Sequence, residues 1–365
     1  MKTLIVAGGL VAAGASAALA GGVDRSGQSL GSVLFEKGNY VEFSLGYAAP
    51  NVSGVSTVFS GSAGKASGNM SGSYLLPGFA FKKQITGNLD VALVYDQPFG
   101  ASVEYPAGTG YFAQGATAKL STNELTALLK YRFDNNVSVY GGPRWQTMRE
   151  TAAVPFVGGY TARGENQGAF GYTVGAAYEI PSIAGRVALT YNSKIDYAIP
   201  TTEFGALVST TNVTTPQSVN LDFQTGINPT TLLFGSVRWV NWKQFDITPV
   251  QYKAATNGGS LVSYAHNTVT FSVGLGHKFN DTWSGAVVLG FEPKTGGFAS
   301  NLGPTDGRAS IGLGVTYTHD NMKVTGGISY IHIGSTTTTL NGTNAASNFT
   351  GNHAIAVGVK VGYSF

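Results

Sequence analysis

The sequence holds no cysteine among its 365 residues, only five histidines, and charged residues at just 11%. Without cysteine there is no disulfide, thiolate metal site or cysteine nucleophile. The histidines, His266, His277, His319, His332 and His353, fall near segment ends. No His-Glu-x-x-His or Gly-x-Ser-x-Gly framework is read as setting them beside a nucleophilic serine, so no catalytic residue, metal or cofactor is expected. The net charge is +3 and no basic block occurs, which argues against nucleic acid as a partner. A soluble domain carries about 25% charged residues. A chain with so few charges must place much of its surface against something other than water. What it has instead is glycine, at 51 residues, with 18 Tyr and 20 Phe.

Lys2 is followed by the apolar, Ala/Gly-rich run 4–13 and by Ala18-Leu19-Ala20. A positive start, a short apolar stretch and a small-x-small site predict a secretory signal peptide over residues 1–20. The run is too short to span a bilayer, and no apolar run of about eighteen residues follows Gly21. Residues 21–38 are expected to form a plug segment, in which Val33, Leu34 and Phe35 close an apolar cavity from below while Glu36 and Lys37 pair with lumen charges. Residues 39–365 are expected to form the barrel described next.

The informative segments have period two, the period of a strand with two different faces. From His353 to Phe365, Ile355, Val357, Val359, Val361, Tyr363 and Phe365 share one face, and small or polar residues share the other. Leu125 to Phe133, Val187 to Ile195, Val269 to His277 and Ile311 to Tyr317 read alike, with Lys and Arg kept to the polar face. A cation at mid-bilayer on the lipid side would cost roughly 2–4 kcal/mol. Short turns at 87–88, 134–136, 181–185, 228–229, 280–281 and 320–321 alternate with longer polar stretches, the pattern of bacterial barrels with short periplasmic turns and long external loops. The count predicts an all-β transmembrane antiparallel barrel of about fourteen strands with both barrel ends periplasmic. The ending on Tyr363 and Phe365 resembles the aromatic signal that the barrel-assembly machinery reads.

Several stretches resemble the FadL/TodX-type outer-membrane transporters of hydrophobic compounds. They are Thr215-Pro216-Gln217-Ser218-Val219, Gly226-Ile227-Asn228-Pro229, the stretch 237–245 with Trp239 and Trp242 three apart, Tyr191 to Tyr197, Pro304 to Arg308 with the strand after it, and Gly326 to Tyr330. Their order along residues 166–365 carries the resemblance. It implies a monomeric barrel in the outer membrane, meeting lipopolysaccharide and other lipids there. Its substrate would be a hydrophobic small molecule, with long-chain fatty acids foremost. Ligand would be captured at apolar external loops and would leave sideways through a gap where the third strand kinks. The family's longer plug with an Asn-Pro-Ala triplet has no counterpart in residues 21–38.

On that frame Pro98 and Gly100 are candidates for the kink, or Pro98 simply ends the third strand at its loop. In the loop 150–166, Val154, Phe156, Val157 and Tyr160 form an apolar patch that captures ligand or packs on its neighbours. Lys130, Arg132, Arg144, Lys194, Arg238, Lys278 and Lys360 are placed on the lumen face. Arg144, Arg238 and Lys194 are the candidates to hold a carboxylate head group, the alternative being ion pairs that brace the barrel. Trp145, Trp239 and Trp242 are read as interfacial girdle. A hydrophilic porin or a structural or adhesive barrel is the alternative to a transporter.

Overall fold

The computed structural model describes residues 23–365; the expected signal peptide lies outside the described residues. Eighteen hydrogen-bonded segments form one closed sheet, and four strands run as two pieces each, giving fourteen. They are β1 (Tyr40–Asn51), β2 (Tyr74–Gln84), β3 (Leu89–Asp96 and Gly100–Glu104), β4 (Thr117–Arg132), β5 (Val137–Val154), β6 (Tyr160–Gly164 and Gln167–Ile180) and β7 (Gly185–Asn192 and Ile195–Glu203). Then follow β8 (Leu207–Thr215 and Ser218–Asn228), β9 (Thr231–Val240), β10 (Thr268–Lys278), β11 (Trp283–Glu292), β12 (Arg308–His319), β13 (Met322–Ile333) and β14 (His353–Ser364). β1 pairs antiparallel with β14 from Tyr40↔Ser364 to Asn51↔His353, which closes the barrel.

The two faces follow the alternation. Leu45, Val359, Leu313 and Phe271 stand exposed on the outer wall, while Lys360, Glu42, Arg144 and Glu124 are buried inside. Among the cations expected to face inward, Arg144 pairs there with Glu124 at 2.6 Å and Lys360 with Glu42 at 3.4 Å, and Lys82, not singled out from the sequence, pairs with Asp90 at 3.8 Å. Lys194 is a correction. It stands on the outer wall, half exposed, and pairs with Asp196 at 2.9 Å. The strand breaks at Ser193 and Lys194, and Asn192 and Ser193 are both buried in succession, so the faces swap and Ile195 turns inward.

The strands around β5 to β8 run further than the polarity suggested. Residues 150–154 and 160–164 continue the ladder, with Val154 opposite Tyr160. The apolar patch expected there is therefore not exposed: Val154 and Tyr160 are buried, Phe156 packs edge-on against Phe112, and the Tyr160 hydroxyl donates to Glu203 at 2.9 Å. A four-stranded sheet of short segments, Gly54–Ser56, Phe298–Ala299, Thr336–Thr339 and Ala345–Phe349, covers part of the loop end. Gly54 must lack a side chain, because a Cβ there would fall 2.8 Å from the Phe349 ring.

Candidate ligand cavity and a break in the wall

The third strand does not end at Pro98. Asp96 faces Glu124 and Gly100 faces Ser121, so Gln97, Pro98 and Phe99 oppose only two residues of β4. That is a bulge, the standard device for bending a strand. Thr122 satisfies its backbone: the Phe99 amide donates to Thr122 Oγ1 at 2.9 Å, and that hydroxyl donates back to the Phe99 carbonyl at 2.7 Å. Phe99 itself turns inward and stacks edge-on against Trp242, 5.9 Å between centroids.

The bend parts β3 from β2. Their ladder stops at Phe79↔Tyr95, leaving Tyr74 to Gly78 with no partner on that side. Contact resumes only nearer the loops, where the Gly72 amide donates to Ser102 and the Glu104 amide to Met70, both at 2.9 Å. Between those limits the wall is broken.

The N-terminal segment fills the break from inside. The Arg25 amide donates to the Pro98 carbonyl and the Gly100 amide to the Val23 carbonyl, both at 2.8 Å, while Ser26 bonds Asp96. The Arg25 guanidinium lies 4.0 Å above the Tyr74 ring. It also rests on Gly100, where a Cβ would come within 2.6 Å of it. Glycine at 100 therefore makes room for the arginine.

Arg238 anchors the same segment. Its Nε donates to Asp24 at 3.1 Å, and its two terminal nitrogens reach the Gly27 carbonyl at 3.2 Å and Gln28 Oε1 at 3.1 Å. Further along, Lys130 donates to the Leu34 carbonyl at 2.9 Å and Lys323 pairs with Glu36 at 3.1 Å. Val33 and Leu34 are buried against the barrel interior with Tyr40, Leu128 and Tyr140, and Phe35 packs beside them. Segment 23–38 thus sits in the lumen. Arg238 holds this segment and Arg144 braces the wall, donating to Glu124 and to the Ser193 carbonyl.

Above the segment lies a cavity of ≈ 140 Å³ with mostly apolar walls, including Val52, Met70, Val103, Leu120, Ile247 and Leu261. Its floor is Val23 to Arg25, not the expected Val33 to Phe35. Arg25, Tyr74 and Gly100 line both the cavity and the break. Of the expected ligand residues, none of Arg144, Arg238, Lys194, Val154, Phe156, Val157 and Tyr160 lines this cavity. Below the segment a second cavity of ≈ 270 Å³ mixes apolar walls, among them Val33, Phe79, Phe223 and Phe234, with the charged side chains of Asp96, Asp222, Arg186 and Arg308.

Three features escaped the sequence reading. Trp242 is wholly buried, not part of a girdle: β9 ends at Val240 and the chain turns inward through Trp242–Gln244. Tyr264, from a loop, also lines the cavity, and burial pushes its phenol well above the ordinary range, so it stays a neutral donor. Glu150 lies on the inward face of β5, a parity that Ser138, Tyr140 and Arg144 already set. A Gly-x-Ser-x-Gly spacing does occur, at Gly27 to Gly31, contrary to expectation. It lies in the lumen segment, where Ser29 Oγ accepts from the Gly31 amide at 3.4 Å and no histidine bonds it. No cluster that could hold a metal exists among the described residues.

A family model for "Outer membrane protein transport protein (OMPP1/FadL/TodX)" matches residues 32–365. The chain belongs to this family. It is an outer-membrane β-barrel for transport of hydrophobic compounds, and it is not an enzyme. The barrel is similar to the crystal structure of a Pseudomonas aeruginosa FadL homologue, with 14% identity, TM-score 0.74, and 98% of this chain and 97% of that chain covered. It is also similar to the P. putida toluene transporter TodX, at 12% identity, TM-score 0.66, and 90% and 91% covered. The Ralstonia pickettii toluene transporter TbuX gives 14% identity, TM-score 0.62, and 91% and 90% covered. A comparison with curated protein sequences found no match.

Proposed function

We propose that this member of the OMPP1/FadL/TodX family takes small hydrophobic molecules from the cell exterior into its apolar cavity and releases them sideways between β2 and β3. The observation that carries the reading is that Arg25, Tyr74 and Gly100 belong to both the cavity and the break. A ligand in the cavity therefore lies against the same Arg25 and Tyr74 side chains that, with the backbone of Val23 to Ser26, fill the break. Capture falls to apolar side chains exposed at the loop end, Val58 and Phe59 on one side and Leu207 and Val208 on the other. A hydrophilic pore fits poorly with a lumen that segment 23–38 obstructs.

Long-chain fatty acids were the substrate expected from the sequence. The cavity supports a more compact one. At ≈ 140 Å³ it matches an apolar cavity of about 150 Å³ that holds benzene. It encloses a single ring whole but only part of a long acyl chain. TodX and TbuX, toluene transporters by name, share the architecture. The test is uptake of labelled toluene and labelled oleate by cells with and without the protein. Protein-dependent toluene uptake is expected, oleate uptake alone would restore the fatty-acid reading, and uptake of neither would remove both of these substrate readings.

A further inference from the structure

Seven carboxyl groups are buried among the described residues: Asp24, Glu42, Asp90, Glu124, Glu150, Glu203 and Glu292. Six have partners. Asp24 meets Arg238, Glu42 meets Tyr40, Asp90 meets Lys82, Glu124 meets Arg144, Glu203 meets Tyr160 and Glu292 meets Thr270. Glu150 has none: its Oε2 is fully enclosed without a hydrogen-bond partner, and its side chain forms part of the apolar cavity wall. The residue is only 8% exposed, so bulk water does not solvate it freely.

A buried acceptor left without a donor carries its full desolvation penalty. Each of the other six has at least one oxygen met by a side chain of the chain itself, although Asp24 Oδ1 and Asp90 Oδ1 are left without a donor. The seventh group lies in the cavity that receives ligand, and its missing donor is one that a ligand can bring. We infer that Glu150 is a specificity-determining residue that reads a hydrogen-bond donor on the bound molecule. The ligand class is then an uncharged, ring-sized hydrophobe carrying a hydroxyl, of the phenol type.

Other head groups fit less well. A carboxylate brings negative charge against Glu150. An ammonium has three N–H donors to satisfy; besides Glu150 the cavity's residues leave the Tyr74 hydroxyl, Arg25 Nε and Asp24 Oδ1 unpartnered, and the charge of Asp24 is already matched by Arg238 at 3.1 Å. A hydroxyl has one donor to give, and its oxygen can in turn accept. A plain hydrocarbon fits by size but leaves Glu150 unanswered, and a site built to hydrogen-bond a hydroxyl discriminates strongly against the analogue that lacks one.

The inference rests on the transport reading for the identity of the cavity, and the experiment separates the two. Binding of p-cresol and of toluene, which differ by one hydroxyl, is measured on the purified full-length barrel, and uptake of both is measured separately in cells. Binding of p-cresol at least on the order of tenfold tighter than toluene is expected. Glu150→Leu should abolish that preference by weakening p-cresol alone, and Glu150→Gln, which keeps a carbonyl acceptor and nearly the same shape, should retain part of it. Equal affinities in the parent, or a preference unchanged in Glu150→Leu, would overturn the inference. A p-cresol preference in binding without uptake of either compound would leave the inference standing and remove the transport reading.

Discussion

Arg25 lies over the ring of Tyr74, with Cζ 4.0 Å from the ring centroid, and this pair occupies the break between β2 and β3. The two residues come from separate parts of the architecture, one from the lumen segment and one from the wall. Their contact links the position of that segment to the continuity of the barrel.

Removing the arginine should therefore loosen the seal. A desolvated cation–π contact is worth about 2 kcal/mol, and the side chain also occupies space no other group fills. Arg25→Ala should raise the rate of hydrophobic-compound uptake, or the leak of a small lipophilic dye through reconstituted barrels, by several-fold. An unchanged rate would show that the arginine is not what limits passage.

The same site can be disturbed from the wall. At Gly100 a Cβ would meet the guanidinium within 2.6 Å. Gly100→Val should displace Arg25 and reproduce the phenotype of Arg25→Ala while leaving the barrel folded, since the displaced atoms end a flexible side chain. Identical kinetics in Gly100→Val and the parent would mean that Arg25 adapts without leaving the break.

Arg238→Met leaves Asp24 buried without its cation. Breaking a buried pair in this way costs roughly 3–5 kcal/mol. The loss should fall on the docking of segment 23–30, read as faster amide exchange there with little change in the strands. Arg144→Met strands Glu124 in the same manner but inside the wall, so it should lower the temperature at which the barrel loses heat-modifiable mobility and leave ligand affinity intact. If Arg144→Met weakens ligand binding while the barrel stays as stable, the bracing role assigned to it here is wrong.

At the chain's end, Tyr363 and Phe365 stack on the outer wall, 6.2 Å between centroids, and the Phe365 amide donates to the Asn39 carbonyl at 3.1 Å. Deleting Phe365 should reduce the amount of folded barrel in the outer membrane more than the transport rate per folded molecule. Normal folded levels after the deletion would make it an ordinary lipid-facing side chain.

Strand number, closure and the inward face of most cations were legible because a membrane wall imposes a strict alternation on every strand. The alternation fails where the chain departs from regular pairing. At Asn192 and Ser193 two successive residues turn inward, and everything beyond, Lys194 included, was read on the wrong face. Trp242 is similar: it was placed with Trp239 in a girdle, but the strand ends between them. The cavity was illegible for a different cause. Glu150 could be placed inward by parity, yet its lack of a partner depends on which side chains arrive from β4, β6 and the loops. Arg144 and Arg238 drew attention as buried cations, and their partners, Glu124 and Asp24, become visible only when distant segments meet.

Both rims of the break carry a proline, Pro77 on β2 and Pro98 on β3. A proline has no amide hydrogen to offer a neighbouring strand, and the bulge at Gln97 to Phe99 has already shifted the register by one residue. The two edges thus cannot zip together by sliding into an ordinary ladder. On the proposed sideways route, an aperture framed in this way would work with a stopper and not with a seam: passage would depend on what is lodged in it, and the barrel around it would stay rigid while that changes.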